Sequence, residues 1–199
     1  MTSALVVLGV LYAAAVVVLA VLGLHALGLA AVRAVLPPRP LPTRAPERPA
    51  PAVLVQLPVY DEPPALVARA LDAALALDWP GPVAVQLLDD SPPAARRANA
   101  ALCAVRPGAR HVVRGTRDGY KAGALAFGLG LSEAPFVAVF DVDFRPAPDL
   151  LRALVGPMLA DPRLAFVQSR WVHAGADRTV LARAQAAVLD LHFAVEQTA

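Results

Sequence analysis

Between Ala4 and Val32 the chain has no Asp, Glu, Lys or Arg. Within that run, Ala4–Leu24 holds thirteen Leu or Val residues. At roughly −0.3 to −0.6 kcal/mol each, these side chains favour insertion into a bilayer by several kcal/mol. About 20 apolar residues span the hydrocarbon, so the run predicts a transmembrane helix within residues 1–36, with length to spare for tilt. A cleaved signal peptide fits poorly, because Met1-Thr2-Ser3 has no basic side chain and the run is much longer than an h-region. His25 reads as an interfacial or helix-packing residue. Arg33, Arg39, Arg44 and Arg48 follow the run, whereas no Lys or Arg precedes it. The excess of positive charge after the helix places the remainder in the cytoplasm. The expected arrangement is one N-terminal pass through the cell (inner) membrane. Pro37, Pro38, Pro40, Pro42, Pro46, Pro49 and Pro51 then make residues 37–51 an extended Pro/Arg-rich spacer. Residues 52–199 remain for a globular domain.

The single cysteine, Cys103, excludes an internal disulfide and fits a reducing compartment. A net charge of +2, with no basic stripe interleaved with aromatics, argues against nucleic acid as a partner. Arginine supplies nearly every cation, and Lys121 is the only lysine.

Past the spacer, strand-like and helix-like segments alternate. Residues 52–57, 83–88, 111–113, 136–140 and 164–168 read as strands, the first of them ended by Pro58. Helical spacing of apolar residues marks segments near 64–78, 94–105, 121–131 and 150–159, and a last amphipathic helix at 179–197. That helix carries Leu181, Ala184, Val188, Leu191 and Val195 on one face. The order predicts an α/β, Rossmann-like domain with a doubly wound, mostly parallel sheet. The run Phe136-Val137-Ala138-Val139-Phe140 reads as a strand buried on both faces. No GxGxxG follows the first strand and no GxxxxGK[ST] occurs, so the common dinucleotide and P-loop readings lose support.

Polar residues gather where the strands end: Tyr60-Asp61-Glu62, Asp89-Asp90-Ser91 and Asp141-Val142-Asp143. A fourth group, Asp118 to Gly123, opens a helix and contains Lys121. In a parallel sheet these ends converge on one edge, where ligands of open α/β sheets bind. If the chain stays extended, Asp141 and Asp143 point to the same side. Two carboxylates about 4 Å apart repel by roughly 4 kcal/mol at an effective dielectric near 20. A divalent cation relieves that repulsion, and an all-oxygen site suits Mg²⁺ or Mn²⁺. A metal-bound diphosphate, with its phosphates on Lys121 and helix amides, is a coherent ligand for such an edge. Taken singly, each group also fits a structural role: Asp61-Glu62 a helix cap, Asp89-Asp90 a turn, Lys121 a solvated charge. Four such groups at element ends are harder to assign to chance.

The segments Val55–Glu62, Leu77–Pro80, Val85–Ser91, Lys121–Leu125, Phe140–Phe144 and Val167–Trp171 together resemble the membrane-bound family 2 glycosyltransferases. The likeness is greatest to the cellulose-synthase-like glucosyl- and mannosyltransferases, and the segments occur in that family's order. The resemblance implies a GT-A-like fold and a metal-dependent, inverting transfer of a hexose. The donor would be a nucleotide-diphosphate sugar of UDP-glucose or GDP-mannose type, and the acceptor a growing β-linked polysaccharide. It further implies that Asp90, together with Asp89, contacts the base and ribose, with Tyr60 and Glu62 lining the same pocket. Lys121 would reach the diphosphate. Asp141 and Asp143 would be the metal-binding pair, with Asp141 also facing the donor and Asp143 the foremost ligand. Gln168, Arg170 and Trp171 would lie beside the acceptor channel.

Two departures accompany the likeness. Asp61 stands where the family usually has Asn, adding an acid near the nucleotide. The family's later TED-like and QxxRW segments are not found in these 199 residues. The general base is therefore expected beyond residue 199, and no catalytic base is assigned within the chain; His173 and His192 read as packing or surface residues. The segment is accordingly read as an incomplete, donor-binding N-terminal part of the enzyme. Alternatives are a truncated, inactive nucleotide-sugar-binding fragment or a transferase acting on a lipid-linked acceptor.

Overall fold

The computed structural model describes residues 2–36, 40–47, 49–175 and 177–196. They fall into two compact units, one of residues 42–168 and one of residues 1–41 with 169–199. Pro37, Pro38, Arg39 and Arg48 of the expected spacer, and Gln197 of the expected last helix, lie outside the described residues.

In the unit of 42–168, four strands form one parallel sheet: β1 (Val53–Val59), β2 (Val83–Asp89), β3 (Ala109–Val112) and β4 (Phe136–Val139). Their order is β3-β2-β1-β4. Helices α2 (Pro64–Leu75), α3 (Pro93–Ala104), α4 (Tyr120–Leu129) and α5 (Leu150–Ala160) alternate with or follow the strands. Helix α1 (Thr2–Val35) belongs to the other unit.

Side chains alternate across the sheet. Val53, Val55, Leu57 and Val59 of β1, with Val85 and Leu87 of β2, join Val67, Ala70, Leu71 and Ala74 of α2 in the main core. Each fully buried leucine there is worth about 1.5–3 kcal/mol. The even-numbered residues face α4. On that side Gln56 Nε2 donates to Gln86 Oε1 (3.3 Å) and to the Leu125 carbonyl (3.2 Å). Helix α4 comes this close because the residues it buries, Ala124 and Gly128, are small. A Cβ on Gly128 would stand 2.5 Å from Leu88 and 2.7 Å from both glutamines.

Four expectations need correction. Strand β1 does not stop at Pro58 but runs through it to Val59. The ladder with β4 ends at Gln56 and Val139, so the missing N–H of Pro58 faces a side with no strand to bond. Strand β4 is not buried on both faces: it is an edge strand, with Val137 40% and Val139 44% exposed. Residues 164–168 form no strand. Asp161 instead turns the chain, its carbonyl accepting from Leu164 N–H and its Oδ1 from Arg163 N–H, and Phe166 is exposed. The last helix, α6 (Val180–Leu191), gives way to a π-helical turn at His192–Glu196. Its apolar stripe is open, with Leu181 and Val188 both 69% exposed.

Not all of residues 37–51 stand free of the domain. Arg44 N–H donates to the Gly156 carbonyl (3.0 Å), Ala50 is buried, and Trp79 Nε1 donates to the Pro51 carbonyl (2.8 Å).

In the second unit, α1 (Thr2–Val35) is a single helix, long and apolar enough to cross a membrane, with a mean hydropathy of 3.0 in its most apolar window. Its Leu and Val side chains are exposed along its length. Arg33 Nε donates to the Ala194 carbonyl (3.0 Å). Thr179 caps α6 by accepting from Ala182 N–H (3.0 Å).

Candidate functional site

A cavity of about 350 Å³ opens at the carboxyl edge of the sheet. Among its lining residues are Tyr60 and Glu62 after β1, Asp90 after β2, Arg117 in the loop before α4, Lys121 in the first turn of α4, and Asp141 and Asp143 after β4. Of the eight residues expected at the donor and metal site or beside it, six therefore share one space: Tyr60, Glu62, Asp90, Lys121, Asp141 and Asp143. Asp89 and Asp61 do not line it.

Asp89 is the last residue of β2 and points to the α3 face, where it is 2% exposed. Its Oδ1 accepts from Ser91 N–H (2.9 Å), and its Oδ2 accepts from Asn99 Nδ2 (3.0 Å) and lies 2.8 Å from His111 Nε2. Burial pushes this carboxyl up, but hydrogen bonds from Ser91, His111 and Asn99 outweigh it and hold the group below the usual carboxylate range. Asp90, one residue on, faces the α4 side. The period of two separates the neighbours.

Asp61 adopts φ 63°, in the left-handed region, with its N–H donating to Ser91 Oγ (3.0 Å). Asn and Asp are the non-glycine residues that tolerate this region best. The position therefore admits a short polar side chain, Asp as well as Asn. Tyr60 N–H donates to Glu62 Oε2, and Asp90 N–H donates to the Val59 carbonyl (3.1 Å), tying the two strand ends together.

The loop between β3 and α4 contributes two residues that sequence reasoning passed over. Arg114 grips Asp90 with a two-pronged contact, Nε to Oδ1 (2.8 Å) and Nη2 to Oδ2 (2.5 Å). The same guanidinium donates to the carbonyls of Asp118 (2.6 Å) and Tyr120 (2.8 Å). Gly123 is required beside it: an added Cβ would lie 2.5 Å from Arg114 Nη1 and collide with the Asp118 carbonyl. Arg117 lies 3.4 Å from the centroid of the Tyr60 ring and 5.2 Å from that of Tyr120. The available signal was three cations, Arg114, Arg117 and Lys121, within eight residues of a chain whose acids gather at the same edge.

The extended conformation does not continue through the last acidic pair. Phe144 N–H donates to the Asp141 carbonyl (3.0 Å), closing a turn that buries Val142 and still brings both carboxylates to the cavity. Lys121 Nζ pairs with Asp141 Oδ1. Among the described residues no three His, Cys, Asp or Glu side chains are gathered to hold a metal ion. Two carboxylates on an open cavity nonetheless fit Mg²⁺ or Mn²⁺, which bind through one or two acids plus water and substrate phosphate oxygens. Asp141 and Asp143 are the residues that would hold it.

The residues expected beside the acceptor divide between the units. Gln168 is exposed at the end of the first unit. In the second, Arg170 pairs with Asp190, and Trp171 meets Phe193 edge-on at 5.5 Å. His173 Nδ1 lies 3.2 Å from the Ala174 carbonyl, and His192 stacks edge-on with Phe193 at 5.4 Å.

Residues 55–189 match the family described as Glycosyl transferase family 2. Over 156 residues the chain is 38% identical to glucomannan 4-beta-mannosyltransferase 2 of Arabidopsis thaliana, and 37% identical to glucomannan 4-beta-mannosyltransferase 1 of Cyamopsis tetragonoloba. Each match covers 74% of this chain but only 29% and 30% of the relative, so the chain spans less than a third of their length. Among solved structures, the mannosyltransferase PcManGT from Pyrobaculum calidifontis, in complex with GDP-Man and Mn²⁺, superposes with a TM-score of 0.59 at 26% identity. That match covers 74% of this chain and 44% of the other.

Proposed function

The chain belongs to glycosyl transferase family 2, and on that footing we propose that the cavity binds a nucleotide-diphosphate sugar whose hexose is passed, with inversion, to a growing β-linked polysaccharide. The observation that carries this reading is the gathering of Glu62, Asp90, Asp141 and Asp143 with Arg117 and Lys121 around one cavity at the carboxyl edge of a parallel sheet. The glucomannan mannosyltransferases among the relatives, and the GDP-Man in the superposed structure, favour a GDP-mannose donor over UDP-glucose.

In this proposal Tyr60, Glu62 and Asp90 face the nucleoside, with Asp90 fixed in place by Arg114. Lys121 meets the diphosphate. A divalent cation on Asp141 and Asp143 would neutralise the charge developing on the departing nucleoside diphosphate. The carboxylate base that inversion requires is assigned to none of the cavity residues. Residues 1–36 serve as membrane anchor and 37–51 as a spacer whose later residues pack on the donor-binding domain, which lies in the cytoplasm, oriented by Arg33 and the arginines after it.

The test is a calorimetric titration of the full chain in detergent with GDP and with UDP, each with and without Mn²⁺. Mn²⁺-dependent binding of GDP, abolished in Asp143→Asn, is the expected result. A folded sample that binds neither nucleotide would overturn the reading.

A further inference from the structure

The cations at this edge are not equally committed. Arg114 is spent on Asp90 and two backbone carbonyls, and Lys121 is paired with Asp141. Arg117 differs: its guanidinium lies over the faces of Tyr60 and Tyr120, and among the described residues no acceptor takes its N–H groups. Stacking of this kind engages the face of the guanidinium and leaves the donors on its edge free. It also restricts a long, flexible side chain beforehand, lowering the ordering cost of binding. A planar fork of free donors, held on the wall of a cavity that also presents two acids suited to a metal, matches phosphate geometry.

We propose that Arg117 is a donor-binding residue that takes a phosphate oxygen pair of the nucleoside diphosphate, with Tyr60 and Tyr120 as its positioning platform. This rests on the nucleotide-sugar reading above. Tyr60 then acts on the donor through Arg117 as well as by lining the pocket, and the diphosphate is held by a bidentate cation in addition to Lys121.

The full chain in detergent with Mn²⁺ is titrated with GDP and with guanosine, as wild type, Arg117→Gln and Arg117→Lys; melting temperatures show that each variant is folded. Arg117→Gln is expected to weaken GDP roughly tenfold to a hundredfold, the range of a charged hydrogen-bond pair, while guanosine binds as in wild type. Arg117→Lys is expected to recover only part of the loss, since a point charge cannot reproduce the fork. Two results would overturn the inference alone: GDP affinity within twofold of wild type in Arg117→Gln, or an equal loss for guanosine, which would make Arg117 a support for Tyr60 only. A wild-type chain that binds neither GDP nor UDP would overturn the underlying reading as well.

Discussion

Asp89 and Asp90 are neighbours in the chain and belong to two different kinds of place. Around Asp89 both carboxylate oxygens are answered: Ser91, Asn99 and His111 converge on a carboxylate that water does not reach. Around Asp90 the cluster is open. Arg114 secures Asp90, but Asp143 and the N–H groups of Arg117 face the cavity without partners among the described residues. A closed polar cluster fixes structure, since each buried group is costly when left alone and satisfied when paired. An open one holds capacity in reserve for a ligand.

That contrast breaks most visibly at Asp89. Asp89→Ala would strand Asn99, His111 and the Ser91 amide in a buried space, at a cost of about 3 kcal/mol. Urea unfolding in detergent, followed by the buried Trp79, should show the midpoint fall accordingly. Loss of less than about 0.5 kcal/mol, the range of ordinary surface substitutions, would show that the cluster does not carry structure.

Arg114 stands between the two kinds of place and should give the next largest effect. Arg114→Gln leaves the nearly buried Asp90 without its cation and releases the loop that leads into Lys121, so the urea midpoint should fall, by less than for Asp89→Ala. Nucleotide affinity should fall with it, and Asp90→Asn in the same background should add little, because residues of one network are not additive. On the open side, Asp143→Asn should leave the urea midpoint within about 0.5 kcal/mol of wild type while removing metal-dependent nucleotide binding. A large stability loss there would erase the distinction between the clusters.

Much of this was legible beforehand, for identifiable reasons. The apolar runs at 53–57, 83–88 and 136–139 and the helical spacings between them encode a parallel α/β sheet, and the acids after β1, β2 and β4 follow from where those runs stop. The failures have physical causes too. Leu164–Gln168 has a strand's composition, but a strand also needs a neighbouring edge, and none pairs with it among the described residues. Val137 and Val139 read as buried because apolar content does not report whether a strand lies at the edge of its sheet. The divergence of Asp89 and Asp90 was contained in the period of two, yet adjacent acids invite reading as one group. Arg114 and Arg117 sit in a loop whose path, not its composition, aims them at the cavity.

The smallest effect is on pH dependence, and its sign distinguishes the clusters again. Asp89 is held below the normal carboxylate range in the folded chain, so it binds its proton more weakly there than when unfolded. Its stabilisation is complete above the unfolded value, about pH 4, and disappears as pH falls through the lower folded value. Asp161, held at about 2 by Arg163, acts in the same direction and over the same acid range. Its side-chain partner is exposed, however, and solvent screens a surface pair of this kind. Asp72 and Asp78, lowered chiefly by hydrogen bonds from Arg106 and Arg152, are surface pairs as well. Unfolding measured from pH 5 down to pH 3 should therefore steepen below pH 4 in the wild type. Asp89→Asn should flatten that limb, and Asp161→Asn should leave it nearly unchanged. If Asp161→Asn flattened it instead, acid sensitivity would reside in the exposed turn rather than in the closed cluster beneath the sheet.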